Sequence, residues 1–113
     1  MRSLLRSTIA NATVTDSDLT ARVSLRIDPF LLRAAELLPF EEVEVVNLAT
    51  AERLRTYVEP AEEGSGTVGV HSGARRGDVI AILAFGVLHD GQTLDHKPRI
   101  VIVDANNRVV TAK

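Results

Sequence analysis

The 113-residue chain has no cysteine and no tryptophan. Lacking cysteine, it has no disulfides, no thiolate metal ligands and no cysteine nucleophile, and its redox compartment is unsigned. Lysine is nearly as scarce: of 13 basic residues, eleven are arginine, and only Lys97 and Lys113 are lysine. An enzyme working through a lysine Schiff base would have to use one of those two late positions. Neither sign of charge dominates. Fifteen acidic residues bring the net charge to −2, which gives no cationic field to attract nucleic acid or an anionic membrane. Long apolar runs are missing too. Arg6 interrupts Leu4 and Leu5 before a signal-peptide core can form, and nothing approaches the roughly 18 apolar residues of a membrane helix. The expected setting is cytoplasmic, with neither nucleic acid nor membrane as partner.

What is present is 45% hydrophobic and 25% charged, the profile of one ordinary domain, expected to span residues 1–113. So short a chain buries only a modest core, which makes function at a subunit interface worth considering. One helix is legible. Asp28 caps it, Pro29 suits its first position, and Phe30, Leu31, Ala34, Ala35, Leu37 and Leu38 recur at helical spacing before Pro39. Seven β-type runs surround it: 13–15, 23–27, 43–48, 54–58, 67–70, 79–85 and 100–103, and the turn at 104–107 leads into 108–111. The run VIAILAF is continuously apolar and reads as buried on both faces, whereas Val43 and Val45 alternate with Glu42 and Glu44. This pattern predicts a small, closed or nearly closed β structure.

Several local features carry no chemistry. His71, His89 and His96 lack metal-ligand spacing, so no metal is expected. Arg76-Gly77-Asp78 spells an adhesion tripeptide but supplies the turn that a following strand needs. Gly64, Gly66 and Gly69 do not open a helix and fail the context of a phosphate-binding loop. Adjacent Glu62 and Glu63 point to opposite faces in extended chain and make no acid–base pair.

A further set of residues gains meaning by resemblance. Residues 4–28 (LLRSTIANATVTDSDLTARVSLRID), 53–57 (RLRTY), Glu62-Glu63-Gly64-Ser65 and Gly77-Asp78-Val79-Ile80 follow, in order and over nearly the whole chain, the layout of the pyruvoyl-dependent aspartate 1-decarboxylase family. The most specific pieces are Val14-Thr15 to Asp18-Leu19, the serine followed by Ile27-Asp28, and the Arg-x-x-Thr-Tyr run. The resemblance implies a mainly β fold, a six- to seven-stranded double-psi β-barrel with one short helix, assembled as a homotetramer. It also implies a proenzyme cut between Val23 and Ser24, with Ser24 becoming a pyruvoyl cofactor that turns L-aspartate into β-alanine and carbon dioxide for pantothenate synthesis.

In that reading Arg53 clamps a substrate carboxylate with its planar fork. Tyr57 returns a proton to the carbanion, and Thr56 hydrogen-bonds the carbonyl before Ser24 and steadies its developing charge. His71 takes the place of a pocket asparagine, and Ala74 lies in the shortened loop whose backbone contacts substrate. Thr8 stands where the family has a carboxylate-binding lysine, with Arg6 two residues away. Val23 replaces a glycine, and its β-branched side chain disfavours the dihedrals that cleavage uses. Ala21 replaces a tyrosine. An alternative reading is an uncut family member whose Tyr57, His71 and Arg53 serve another reaction on a carboxylate-bearing or other polar substrate, or a non-catalytic paralogue. A maturation factor is unspecified.

Overall fold

A computed structural model describes residues 1–17, 23–89, 91 and 95–113. Asp18, Leu19 and Ala21 of the family-like segment lie outside these residues. Among the described residues the order is β1 (Arg2–Thr13), β2 (Leu25–Ile27), α1 (Pro29–Ala34), β3 (Glu42–Asn47), β4 (Arg53–Pro60), β5 (Val68–Gly69), β6 (Val79–Leu88), β7 (Arg99–Val103) and β8 (Val109–Ala112). The strands run β5-β2-β4-β3-β6-β1-β7-β8 in one curled sheet. The fold is mainly β with one short helix, consistent with a double-psi barrel. No helix among the described residues is long and apolar enough to cross a membrane.

Each expected β run except 13–15 has a counterpart; of that run only Thr13 is in a strand, at the end of β1, and Val14 and Thr15 lie beyond it. Strand β1 covers twelve residues where only 13–15 read as strand. Its alternation is broken by irregularities between Leu5 and Ser7 and between Ile9 and Ala12, the second carrying Asn11 at φ 66°. Bulges of this kind shift the period-two pattern by one residue and hide a long strand from a search for strict alternation. The strand is central nonetheless. It pairs antiparallel with β6 and parallel with β7.

Helix α1 is shorter than its apolar spacing suggests. Asp28 caps it, accepting from the Phe30 N–H at 2.9 Å, and Pro29 opens it. It ends at Ala34 because Glu36 takes φ 58°. The Glu36 N–H then donates to the Arg33 carbonyl and the Leu37 N–H to the Leu32 carbonyl. This is a Schellman closure made without glycine, and it leaves Leu37 buried and Leu38 exposed.

Ile9, Leu25, Ile27, Leu31, Val58, Ile80, Ile82 and Val101 fill the core. Strand β6 is less enclosed than its apolar run implies: Ile80, Ile82 and Ala84 are buried, while Val79 and Phe85 are exposed on the other side.

Candidate functional site

Strand β2 runs parallel to β4 with Leu25 opposite Val58, so the chain entering β2 passes beside Thr56. The Thr56 Oγ1 hydroxyl donates to the Val23 carbonyl oxygen at 2.5 Å. Val23 is 60% exposed and Ser24 fully buried. Val23 is not among the residues with positive φ, so its branched side chain sits here without left-handed strain. The Ser24 Oγ is buried and has no hydrogen-bond partner among the described residues. An unsatisfied buried hydroxyl costs roughly 1–3 kcal/mol, and such exceptions call for an explanation, a catalytic role among them. His71 follows β5, which pairs antiparallel with β2 through Arg26–Gly69. That pairing ends at Gly69, two residues before His71.

Arg53, Tyr57 and Thr8 form a second group. Register places Arg55 opposite Glu44, Glu44 opposite Leu83, and Leu83 opposite Thr8. Residues opposite one another in paired strands project from the same face, so this row runs from β4 to β1 on one face. Arg53 and Tyr57, two positions on either side of Arg55, share that face. Thr56 points to the other. Arg53 is ion-paired with Glu44 at 2.5 Å, at 65% and 20% side-chain exposure, and the Tyr57 ring packs against Phe40 with centroids 6.3 Å apart.

Ala74 belongs to neither group. It packs against the core in a segment that Asn47 anchors, its Nδ2 donating to the Gly73 carbonyl and to Asp78 Oδ2, both at 3.0 Å. The Arg75 N–H and then the Asn47 amide hold the Asp78 carboxyl below its ordinary value. Arg6 is occupied at the end of α1, donating to the Glu36 carbonyl at 3.0 Å and pairing with Glu41.

Asp28 does more than its sequence position shows. It is 1% exposed, and besides capping α1 it accepts from the N–H groups of Gly64 and Gly66, both at 3.0 Å. Burial works to raise its carboxyl, but the Phe30, Gly66 and Gly64 N–H groups, with the Arg108 guanidinium, bring it below the ordinary range. Asn107, buried at φ 59°, donates to the carbonyls of Thr13 and Gly66 and accepts the Thr13 N–H. These contacts tie β1, the entry to α1 and the turns at 62–66 and 104–108 into one knot, four residues beyond Ser24. The legible signals were a turn asparagine and two turn glycines. Glu44 as the partner of Arg53 had no sequence signal beyond strand alternation.

Comparison with known proteins adds to this geometry. The model of a family described as aspartate decarboxylase matches residues 1–110. The chain is 41% identical over 114 residues to an aspartate 1-decarboxylase of Dehalococcoides mccartyi (strain CBDB1), an alignment covering 97% of this chain and 92% of that protein.

Proposed function

The chain belongs to the aspartate decarboxylase family, and from that premise we propose that it converts L-aspartate into β-alanine and carbon dioxide through a pyruvoyl group made from its own Ser24. The observation that carries this reading is the Thr56–Val23–Ser24 arrangement, a polarised carbonyl followed by a buried, unpartnered hydroxyl. These residues fit the group. Ser24 Oγ adds to the Val23 carbonyl carbon, the peptide bond to Ser24 breaks, and an ester replaces it. Thr56 stands at the oxygen where negative charge develops. Elimination releases the Val23 carboxylate, and hydrolysis with loss of ammonia leaves a ketone at position 24. A pyruvoyl group there supplies a carbonyl for the substrate amine and a sink for the electron pair released with carbon dioxide.

Arg53 is the carboxylate anchor of this reading. Its present partner Glu44 makes an exposed pair worth about 1 kcal/mol or less, so a substrate carboxylate displaces it at small cost. Tyr57 is the proton donor, and Thr8 occupies the same face. In the same reading His71 is a polar group of the pocket, and the backbone around Ala74 bounds the far side of the substrate.

The two groups lie on opposite faces of β4, which gives the homotetramer a physical reason. Arg53 and Tyr57 of one copy complete the site around Ser24 of another, and the substrate binds between them. The reading places the protein in the cytoplasm, as a single domain over residues 1–113. The alternative of an uncut, repurposed protein is not favoured at 41% identity.

Denaturing intact mass before and after warming, followed by carbon dioxide release from L-aspartate, tests the proposal. Fragments 1–23 and 24–113, with a blocked N-terminus on the larger and turnover to β-alanine, are expected. A chain that stays whole and releases no carbon dioxide overturns it.

A further inference from the structure

The only two lysines of the chain, Lys97 and Lys113, line one cavity of about 460 Å³ together with Arg6, Arg99, His96 and Glu36. Four cationic side chains and one acidic side chain line it, in a protein whose net charge is −2. Three of the four make no ion pair among the described residues. Neither lysine has an ion-pair or hydrogen-bond partner through its side chain among the described residues. Arg99 spends its Nε on the Ala34 carbonyl at 2.9 Å, and its two terminal nitrogens have no partner among the described residues. Arg6 alone is neutralised, by Glu41.

The cavity is also built rather than loose. The Ile100 N–H donates to the Lys113 carbonyl and the Lys113 N–H to the Ile100 carbonyl, which holds Lys113 beside β7. Arg99, half-buried and fixed through its Nε, presents a fork whose rotamer is already set. His96 closes one side, its Nε2 hydrogen-bonded to the Leu5 carbonyl at 2.6 Å. A planar fork with two donors in parallel suits a tetrahedral or planar oxyanion, and flanking ammonium groups suit one of more than single charge.

We propose that this cavity is a binding site for a dianionic phosphate group, with the Arg99 fork as anchor and Lys97 and Lys113 as flanking charges. The site is separate from the Ser24 and Arg53 groups and uses none of their residues. Inorganic phosphate is the probe, titrated into the full-length protein and followed by amide chemical shifts of residues 96–100 and 113, against chloride at equal ionic strength and against succinate.

Saturable shifts confined to those residues are expected with phosphate and not with chloride. Lys97→Gln, at an exposed position with no side-chain hydrogen bond or ion pair among the described residues, should weaken phosphate binding at least about fivefold, and Arg99→Gln at least about tenfold, as loss of charge-assisted bonds implies. The Lys97 variant keeps the test decisive if loss of Arg99 disturbs α1. Shifts that match those of chloride, or Lys97→Gln binding phosphate as well as the parent, overturn the proposal. Tighter binding of succinate than of phosphate overturns the phosphate assignment.

Discussion

Three residues separate Ser24 from Asp28, and both are buried, at 0% and 1% exposure, yet their polar atoms are treated in opposite ways. Every role open to the Asp28 carboxylate is filled, by three backbone N–H groups and a nearby guanidinium. The Ser24 hydroxyl has no partner among the described residues. Burying a carboxylate is costly enough that only full pairing sustains it, whereas an orphaned hydroxyl is a cost a domain tolerates where chemistry needs a free nucleophile. The knot around Asp28 holds the exit of β2 still, and the unpartnered group sits at its entry.

Substitution of Ser24 should give the sharpest separation of the two. Ser24→Ala is expected to abolish chain cleavage and aspartate turnover while leaving thermal stability equal or slightly raised, because it removes an unsatisfied buried group. Mass spectrometry and calorimetry on the one variant check both halves, and a large drop in melting temperature would show that the hydroxyl is structural after all. Asp28→Ala should do the reverse, costing about 2–4 kcal/mol of stability by orphaning the Gly64, Gly66 and Phe30 N–H groups. A denaturant midpoint unchanged from the parent would dissolve the knot as an explanation.

Thr56→Val removes the donor to the Val23 carbonyl and keeps the shape. Cleavage should slow by about ten- to a hundredfold, with stability altered by less than about 1 kcal/mol, and an unaltered time course in denaturing gels would free Thr56 from any part in maturation. Acid provides a gentler probe of Asp28. Its folded carboxyl lies below its ordinary value, so its contribution is fully present above the unfolded-state value and is lost as pH falls through the folded one. Asp28→Asn should therefore flatten the fall of stability below about pH 4, and parallel acid limbs for the two proteins would contradict this. The smallest effect belongs to the exposed face: Glu44→Gln should change stability by less than about 1 kcal/mol while lowering the KM for aspartate, since Arg53 no longer has a competing carboxylate. A raised KM would mean that Glu44 orients Arg53 rather than competing for it.

The helix start was legible because Asp28 and Pro29 act within a few residues of themselves. The helix end was not, because Glu36 adopts a left-handed conformation that glycine usually marks, and apolar spacing continued past it. Strand β1 escaped notice for a similar reason: Arg6 and Asn11 sit where its register shifts, so its inward residues do not alternate strictly. Thr56 and Tyr57 were both singled out by resemblance, but their placement on opposite faces is a consequence of strand geometry that matters only once β2 is known to lie beside β4.

By itself, then, the sequence determined what local physics controls: a mainly β chain, a capped short helix, turns at glycine and asparagine, and a family resemblance carried by residues in order along the chain. Tertiary structure decided which of them meet. Strand neighbours in this sheet are mostly not neighbours in sequence, so the pairing of Thr56 with the carbonyl before Ser24, the row from Arg55 to Thr8 and the gathering of both lysines in one cavity follow from sheet order, which no local pattern encodes.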